Sequence, residues 1–226
     1  MKVMLLGATG LTGRLVLRGL LEAAEVTAVV APVRAPLALA HPKLSAPTVD
    51  FEALLHQPEW FAVDAVICCL GTTIRKAGSQ AAFRRVDHDY PLAAAQLART
   101  AGARHFLLMS ALGARGDSRW FYNRVKGQLE DALKALRFDG LFIYQPGLLL
   151  GERDEFRLGE AVAGRLMPML NTALAGPLSP YKAIRAETVA RAIVHDTRQL
   201  TRNQQHRPGV VIRRHDDMAA LASRTD

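Results

Sequence analysis

Gly7-Ala8-Thr9-Gly10-Leu11-Thr12-Gly13 follows directly on the apolar run Val3-Met4-Leu5-Leu6, and this stretch decides the fold. An apolar strand that runs into a glycine-rich turn and then a helix, here from Leu11 to about Ala23, is the phosphate site of a dinucleotide-binding βαβ unit. Gly7 permits the tight turn. Gly10 lets the backbone approach a pyrophosphate, and Gly13 lets the helix pack closely on the strand. Thr9, Leu11 and Thr12 fill the turn between them, and backbone N–H groups at the helix N-terminus face the anion. The spacing is G-x-x-G-x-x-G, not the G-x-G-x-x-G of many dehydrogenases.

Strand-like and helical patterns alternate from there on. Residues 26–30 read as a second strand and residues 48–51 as a short third. Residues 65–70 form a fourth, apolar throughout, as expected for a strand buried on both faces. Good helix formers run from about 80 to 101, with Pro91 marking an N-terminal turn or a break. A fifth strand at 105–109, a helix at 121–136 and a sixth strand at 141–144 follow. This predicts the α/β class, a doubly wound parallel sheet of the Rossmann type.

After Gly151 the rhythm changes. Residues 152–182 hold a helix-like stretch (158–170) and then Gly176-Pro177-Leu178-Ser179-Pro180. They read as a small C-terminal cap over the carboxyl ends of the strands, where ligands bind in such sheets. Residues 187–195 resume helical spacing, 210–212 suggest a last short strand, and Asp216 is a candidate cap for a terminal helix. The chain from 1 to 226 is read as a single cofactor-binding domain that carries this cap.

Composition agrees with that class. The 226 residues are half hydrophobic and 22% charged, enough to bury a full core. No run approaches the roughly 18 apolar residues of a membrane span, and the N-terminal apolar stretch is too short for a secretory signal. A cytoplasmic location and no membrane contact are therefore expected. Cys68 and Cys69 are neighbours whose strand side chains point to opposite faces, so buried reduced thiols are expected. The seven histidines (His41, His56, His88, His105, His195, His206 and His215) show no metal-ligand spacing, and no metal site is expected. Lys and Arg outnumber Asp and Glu by 29 to 21, yet they are dispersed along the chain. The pairs Arg84-Arg85 and Arg213-Arg214 have acidic residues close behind, which reads as a solvated surface, and no nucleic-acid partner is expected.

The chemistry rests on three residues. Ser110 directly follows the fifth strand, and Tyr122 and Lys126 lie four apart on one face of the next helix. A carbonyl being reduced gathers negative charge on oxygen as hydride arrives at carbon. Tyr122 can give that oxygen a proton. An unperturbed phenol holds its proton to about pH 10, and a neighbouring ammonium, Lys126, stabilises the phenolate left behind. Ser110 would hold and polarise the carbonyl, and Lys126 could also reach the nicotinamide ribose.

Cofactor choice is read at the end of the second strand. Proteins that prefer NAD usually place Asp or Glu there, for the ribose 2′-hydroxyl. Here the window is Ala31-Pro32-Val33-Arg34, with no carboxylate. Arg34 is the candidate clamp for a 2′-phosphate, and NADP(H) is expected over NAD(H). Asp50 is placed to accept from the adenine amine with Phe51 beside it, and Leu70-Gly71-Thr72 would border the ribose.

Several segments resemble the short-chain dehydrogenase/reductase superfamily in its atypical, NADP-binding branch, and within it the HIV Tat-interacting protein oxidoreductase family. They are 7–14, Cys68-Cys69-Leu70-Gly71-Thr72-Thr73 with Lys76-Ala77-Gly78, Val86-Asp87 with Asp89-Tyr90, Tyr122 with Val125-Lys126-Gly127, and Pro146-Gly147 with Leu149-Leu150. The resemblance implies a Rossmann fold, NADPH binding with Pro146 at the cofactor, and a Ser110–Tyr122–Lys126 set. Two departures stand out. Gln145 occupies a place where related sequences usually carry arginine, and Ala31-Pro32 replaces a common basic residue. The usual catalytic asparagine is not matched; Asp87 lies near that position.

Three classes of function compete on this reading. One is an NADP-dependent oxidoreductase of a small carbonyl or alcohol compound. The alternative is a non-enzymatic NADPH-binding regulator of a protein partner, and either could act as a homo-oligomer. A basic nucleic-acid-binding protein is the third. The Tyr122/Lys126 pair favours the first over the second, because a sensor needs no general acid. Dispersed charge disfavours the third.

Overall fold

The computed structural model of the chain describes residues 1–151, 182–202 and 209–224. Among them, seven strands make one wholly parallel sheet in the order β3-β2-β1-β4-β5-β6-β9. The strands are β1 (Lys2–Leu6), β2 (Ala28–Val30), β3 (Leu44–Ser45), β4 (Ala65–Cys68), β5 (His105–Met109), β6 (Gly140–Tyr144) and β9 (Gly209–Arg213). The order steps outward one way through β2 and β3 and the other way through β4. The crevice where it reverses, at the carboxyl ends of β1 and β4, is where such sheets hold ligands. A separate pair, β7 (Leu149–Leu150) and β8 (Ile184–Arg185), is also parallel.

Alternation along the strands feeds two cores. Val3 and Leu5 of β1 pack with Val16, Leu17 and Leu20 of α1 (Leu11–Glu22), and with Val189 and Ile193 of α7 (Ala186–Arg202). Met4 and Leu6 face the other way, toward Ala94 and Ala98 of α5 (Tyr90–Thr100) and Leu129 and Leu133 of α6 (Phe121–Ala135). Every residue of β4 and β6 is buried, as continuous apolar strands between two helical layers should be.

Three local readings change. The expected third strand at 48–51 is not a sheet strand. The edge strand is Leu44–Ser45, Thr48 makes only an isolated bridge to Val33, and Asp50 caps the short helix α2 (Phe51–Leu54) by accepting from the Ala53 N–H at 2.7 Å. A short acidic side chain before a helical turn prefers that cap to a ladder position.

The helix read over 80–101 divides into α4 (Gln80–Arg84), a π-turn at Arg85–Asp89 and α5, with α3 (Ile74–Ala77) ahead of it. The Tyr90 N–H donates to the Arg85 carbonyl, five residues back, and Pro91, with no N–H to give, passes through the inserted turn without a break. At the terminal helix α8 (His215–Ala222), Asp217 rather than Asp216 accepts the Arg214 N–H, at 2.9 Å. Asp216 bonds the His215 ring instead. The cap read at 152–182 lies outside the described residues apart from Lys182.

One buried polar knot joins the far side of the sheet. Asp196 of α7 accepts from the Tyr144 hydroxyl at 2.8 Å and from Arg213 Nη2 and Nε at 2.8 and 3.1 Å. Asp196→Ala would strand a buried phenol and a guanidinium. We expect a loss of about 3 kcal/mol, near the lower end for a broken buried pair because Arg213 stays a quarter exposed. Thermal unfolding should fall by roughly 6–12 °C for a chain of this size, and an unchanged midpoint would remove the knot from the account of stability.

Candidate functional site

The glycine turn is built as its spacing requires. Gly7 sits at φ +84°, in the left-handed region, and a Cβ there would lie 2.7 Å from the Cys69 backbone. A Cβ on Gly13 would lie 2.0 Å from the Gly7 carbonyl oxygen, so the helix packs against the turn itself. Gly10 differs. A Cβ there would meet only the Gly7 oxygen at 3.3 Å, and its open side faces a cavity. Gly10 is the N-cap of α1 and supplies no side-chain cap, and the first turn holds no acidic residue. The Thr12 hydroxyl is buried and finds no partner among the described residues. An uncapped helix start, a bare glycine and an orphaned hydroxyl form a cradle suited to a phosphate oxygen.

The cavity, of about 430 Å³, runs from this turn across the carboxyl ends of β4, β5 and β6. Thr9, Gly10, Leu11 and Thr12 line one end, and Leu70, Gly71 and Thr72 follow β4. Ser110, Tyr122, Lys126 and Pro146 line the rest, so the proposed chemical groups and the phosphate cradle share one space. Arg14, Thr73, Lys76, Asp87 and Leu149 also face it, beyond the residues that motif spacing marks. Arg34, Asp50 and Phe51 are not in the lining. Arg34 is exposed, Asp50 is occupied as a helix cap, and Phe51 stacks on Tyr90 at 4.8 Å between ring centres.

Position on α6 sets the central groups. Tyr122, Lys126 and Glu130 recur every four residues and so share one face. Tyr122 is 38% exposed, its ring tilted against Phe83 at 5.6 Å. Lys126 is buried, and its Nζ lies 2.9 Å from Asp87 Oδ1. Burial works against the Lys126 ammonium, but Asp87 and Tyr122 more than offset it and hold its pKa above the ordinary value. Lys126 is therefore a fixed cation.

Asp87, on the π-turn, is held in place by the Thr72 N–H at 2.8 Å, which ties the loop after β4 to α6. Sequence spacing gives no sign of this pair, because the π-turn changes which residues of the helix face the sheet.

Below the lysine, Ser110 and Gln145 extend the adjacent strands β5 and β6, which pair Met109 with Tyr144. The Ser110 hydroxyl bonds Glu130 Oε1, and Gln145 Nε2 donates to both Glu130 oxygens at 3.0 and 3.1 Å. All three side chains are buried. The signal for Glu130 lay in the sequence as the next step of the Tyr122–Lys126 repeat.

Cys69 borders the cavity and Cys68 lies behind it, both as free thiols. Burial pushes Cys68 up to about 11, and burial together with Cys68 pushes Cys69 further. Neither serves as a thiolate near neutral pH.

Comparison with known proteins agrees with the geometry. Residues 7–160 match the family described as NAD(P)H-binding. Protein HTATIP2 of Rattus norvegicus is 38% identical over 198 residues, covering 86% of this chain and 80% of its own. The mitochondrial protein FMP52 of Eremothecium gossypii is 36% identical over 161 residues, 70% of this chain and 71% of its own. Among solved structures, DesIV, a dTDP-glucose 4,6-dehydratase of Streptomyces venezuelae with NAD and TYD bound, superimposes with a TM-score of 0.67 at 17% identity. That match covers 98% of this chain and 80% of the other, and it reflects a common fold.

One expectation is corrected here. Several fungal relatives are named mitochondrial, so the cytoplasmic location read from the sequence does not stand. Among the described residues no helix is long and apolar enough to cross a membrane.

A glycine turn shaped for phosphate, a Rossmann strand order and these relatives lead to one conclusion: the chain belongs to the NAD(P)H-binding family that includes HTATIP2 and FMP52.

Proposed function

We propose that the protein is an NADP(H)-dependent oxidoreductase of the short-chain dehydrogenase/reductase type, acting on a small carbonyl or alcohol compound. One observation carries the reading. The phosphate cradle at Gly10–Thr12 and the Ser110, Tyr122 and Lys126 side chains line the same cavity. NADP(H), when bound, supplies or accepts the hydride. Gly10 gives its pyrophosphate room at the start of α1, Gly7 and Gly13 shape the turn beneath it, and the Thr12 hydroxyl serves as a donor. Lys126, already charged and fixed by Asp87, bonds the ribose and stabilises a phenolate at Tyr122. Tyr122 gives its proton to the oxygen on which charge gathers, and Ser110 holds that oxygen in place. The direct test is NADPH oxidation across a panel of small carbonyl compounds. Tight NADPH binding without turnover on a broad panel would instead favour a cofactor-binding regulator.

The preference for NADPH rests on the absence of a carboxylate at 31–34 and on nearby cations. A charged contact to the 2′-phosphate is worth about 1.5–3 kcal/mol, so NADPH should bind about ten- to a hundredfold more tightly than NADH. Arg34→Ala should shrink that ratio. Arg34 is exposed and outside the cavity lining, whereas Arg14 and Lys76 lie in it. Parallel titration of Arg14→Ala and Lys76→Ala therefore shows which cation takes the phosphate. Equal affinities in the parent protein would end the reading.

A further inference from the structure

Glu130 is 3% exposed, yet its two side-chain hydrogen-bond partners among the described residues are neutral. Among the described residues the charged groups that act on it are Lys134 and Asp131, which lie on its own helix and act with opposite sign. From β5 and β6 it meets only the Ser110 hydroxyl and the Gln145 amide. Ionised, this carboxylate would take the Ser110 proton and leave Ser110 with only lone pairs toward the cavity. A carbonyl oxygen gathering negative charge needs the opposite, a donor.

The hydrogen-bond contacts accommodate the acid form. A neutral carboxyl has one proton to give and lone pairs to receive. With the proton on Oε1 it donates to Ser110 Oγ, and Oε2 accepts the Gln145 N–H at 3.1 Å. The Ser110 proton is then free to turn into the cavity, which Ser110 lines.

We propose that Glu130 is a positioning residue that works as a neutral acid, donating to Ser110 so that the Ser110 hydroxyl donates to the substrate oxygen. No proton leaves Glu130 during reduction, and the transferred proton still comes from Tyr122. Burial raises the Glu130 pKa, and the bonds from Ser110 and Gln145 offset only part of that. The proposal rests on the reductase reading for its use of Ser110, but the protonation state of Glu130 is measurable without turnover.

Infrared spectroscopy of the intact protein in deuterated buffer reads that state through the carbonyl stretch of an un-ionised carboxylic acid. A band absent from Glu130→Gln should persist as pH rises past about 4.3, where an unperturbed glutamate ionises. Loss of that band with the exposed carboxylates overturns the proposal alone.

Kinetics reads the consequence. Glu130→Leu should lower kcat about a hundredfold, the scale of a lost donor to a developing oxyanion, with NADPH affinity unchanged. Glu130→Gln should recover most of that rate, because its amide N–H can donate to Ser110. The Ser110→Ala/Glu130→Leu double variant should be no slower than Ser110→Ala, since Glu130 acts through that hydroxyl. Additive losses, or no recovery by glutamine in a folded protein, overturn the positioning role. A parent that reduces no carbonyl compound overturns the reductase reading, and with it the use of Ser110.

Discussion

Tyr122→Phe should lower NADPH-dependent reduction of any accepted carbonyl compound by about 10²–10⁴-fold, the range for a lost general acid. The substitution removes one oxygen from a side chain that is 38% exposed at the cavity wall, and its ring keeps the contact with Phe83. Thermal stability and NADPH affinity should therefore stay close to the parent's. Those controls matter, because Lys126 cannot be removed so cleanly. Lys126→Met would leave Asp87, 1% exposed, with the Thr72 N–H but no paired cation among the described residues. A buried carboxylate left unpaired costs about 3–5 kcal/mol, so that variant should lose stability as well as rate. Stability and turnover must both be measured for it. A Tyr122→Phe protein that turns over like the parent would remove Tyr122 as proton donor.

The second large effect separates two glycines of one motif. Gly10→Val should fold, since its first added carbon meets only the Gly7 oxygen, at 3.3 Å. The rest of the side chain would occupy the space over the α1 N-terminus. Losing one phosphate contact worth about 1.5–3 kcal/mol should weaken NADPH at least about tenfold, and losing two should weaken it beyond about a hundredfold. Gly13→Ala should instead fail as a fold, because its Cβ would lie 2.0 Å from the Gly7 oxygen and 2.8 Å from the Gly7 carbonyl carbon. Both are backbone atoms that cannot swing aside. Isothermal titration with NADPH, beside thermal unfolding of both variants, distinguishes the outcomes. Undiminished NADPH affinity in folded Gly10→Val would place the pyrophosphate elsewhere.

What the sequence made legible follows from period and position. Glycine spacing pointed to the cradle, because Gly7 and Gly13 answer steric demands of the turn and Gly10 leaves the helix start bare. Continuous apolar runs marked β4 and β6, which are buried on both faces. A spacing of four put Tyr122 and Lys126 on one helix face, and the strand-end position put Ser110 beside them. Reading failed where local chemistry outweighed pattern. Asp50 reads as a strand-end residue facing adenine but caps a helix. Asp87 acquires its place from a π-turn, which no period of 3.6 foretells. Glu130 was within reach of the same spacing argument, one step further along α6, yet its meaning depends on Ser110 and Gln145 meeting it from two other elements.

The most direct test of the central claim is isotopic. NADPH carrying deuterium at both nicotinamide C4 positions would be incubated with the parent protein and an accepted carbonyl compound, and the product examined by NMR. If the cavity performs hydride transfer, deuterium will appear on the former carbonyl carbon, and Tyr122→Phe will suppress its appearance in proportion to rate. Product without label, or bound NADPH whose label never moves, would contradict the oxidoreductase account.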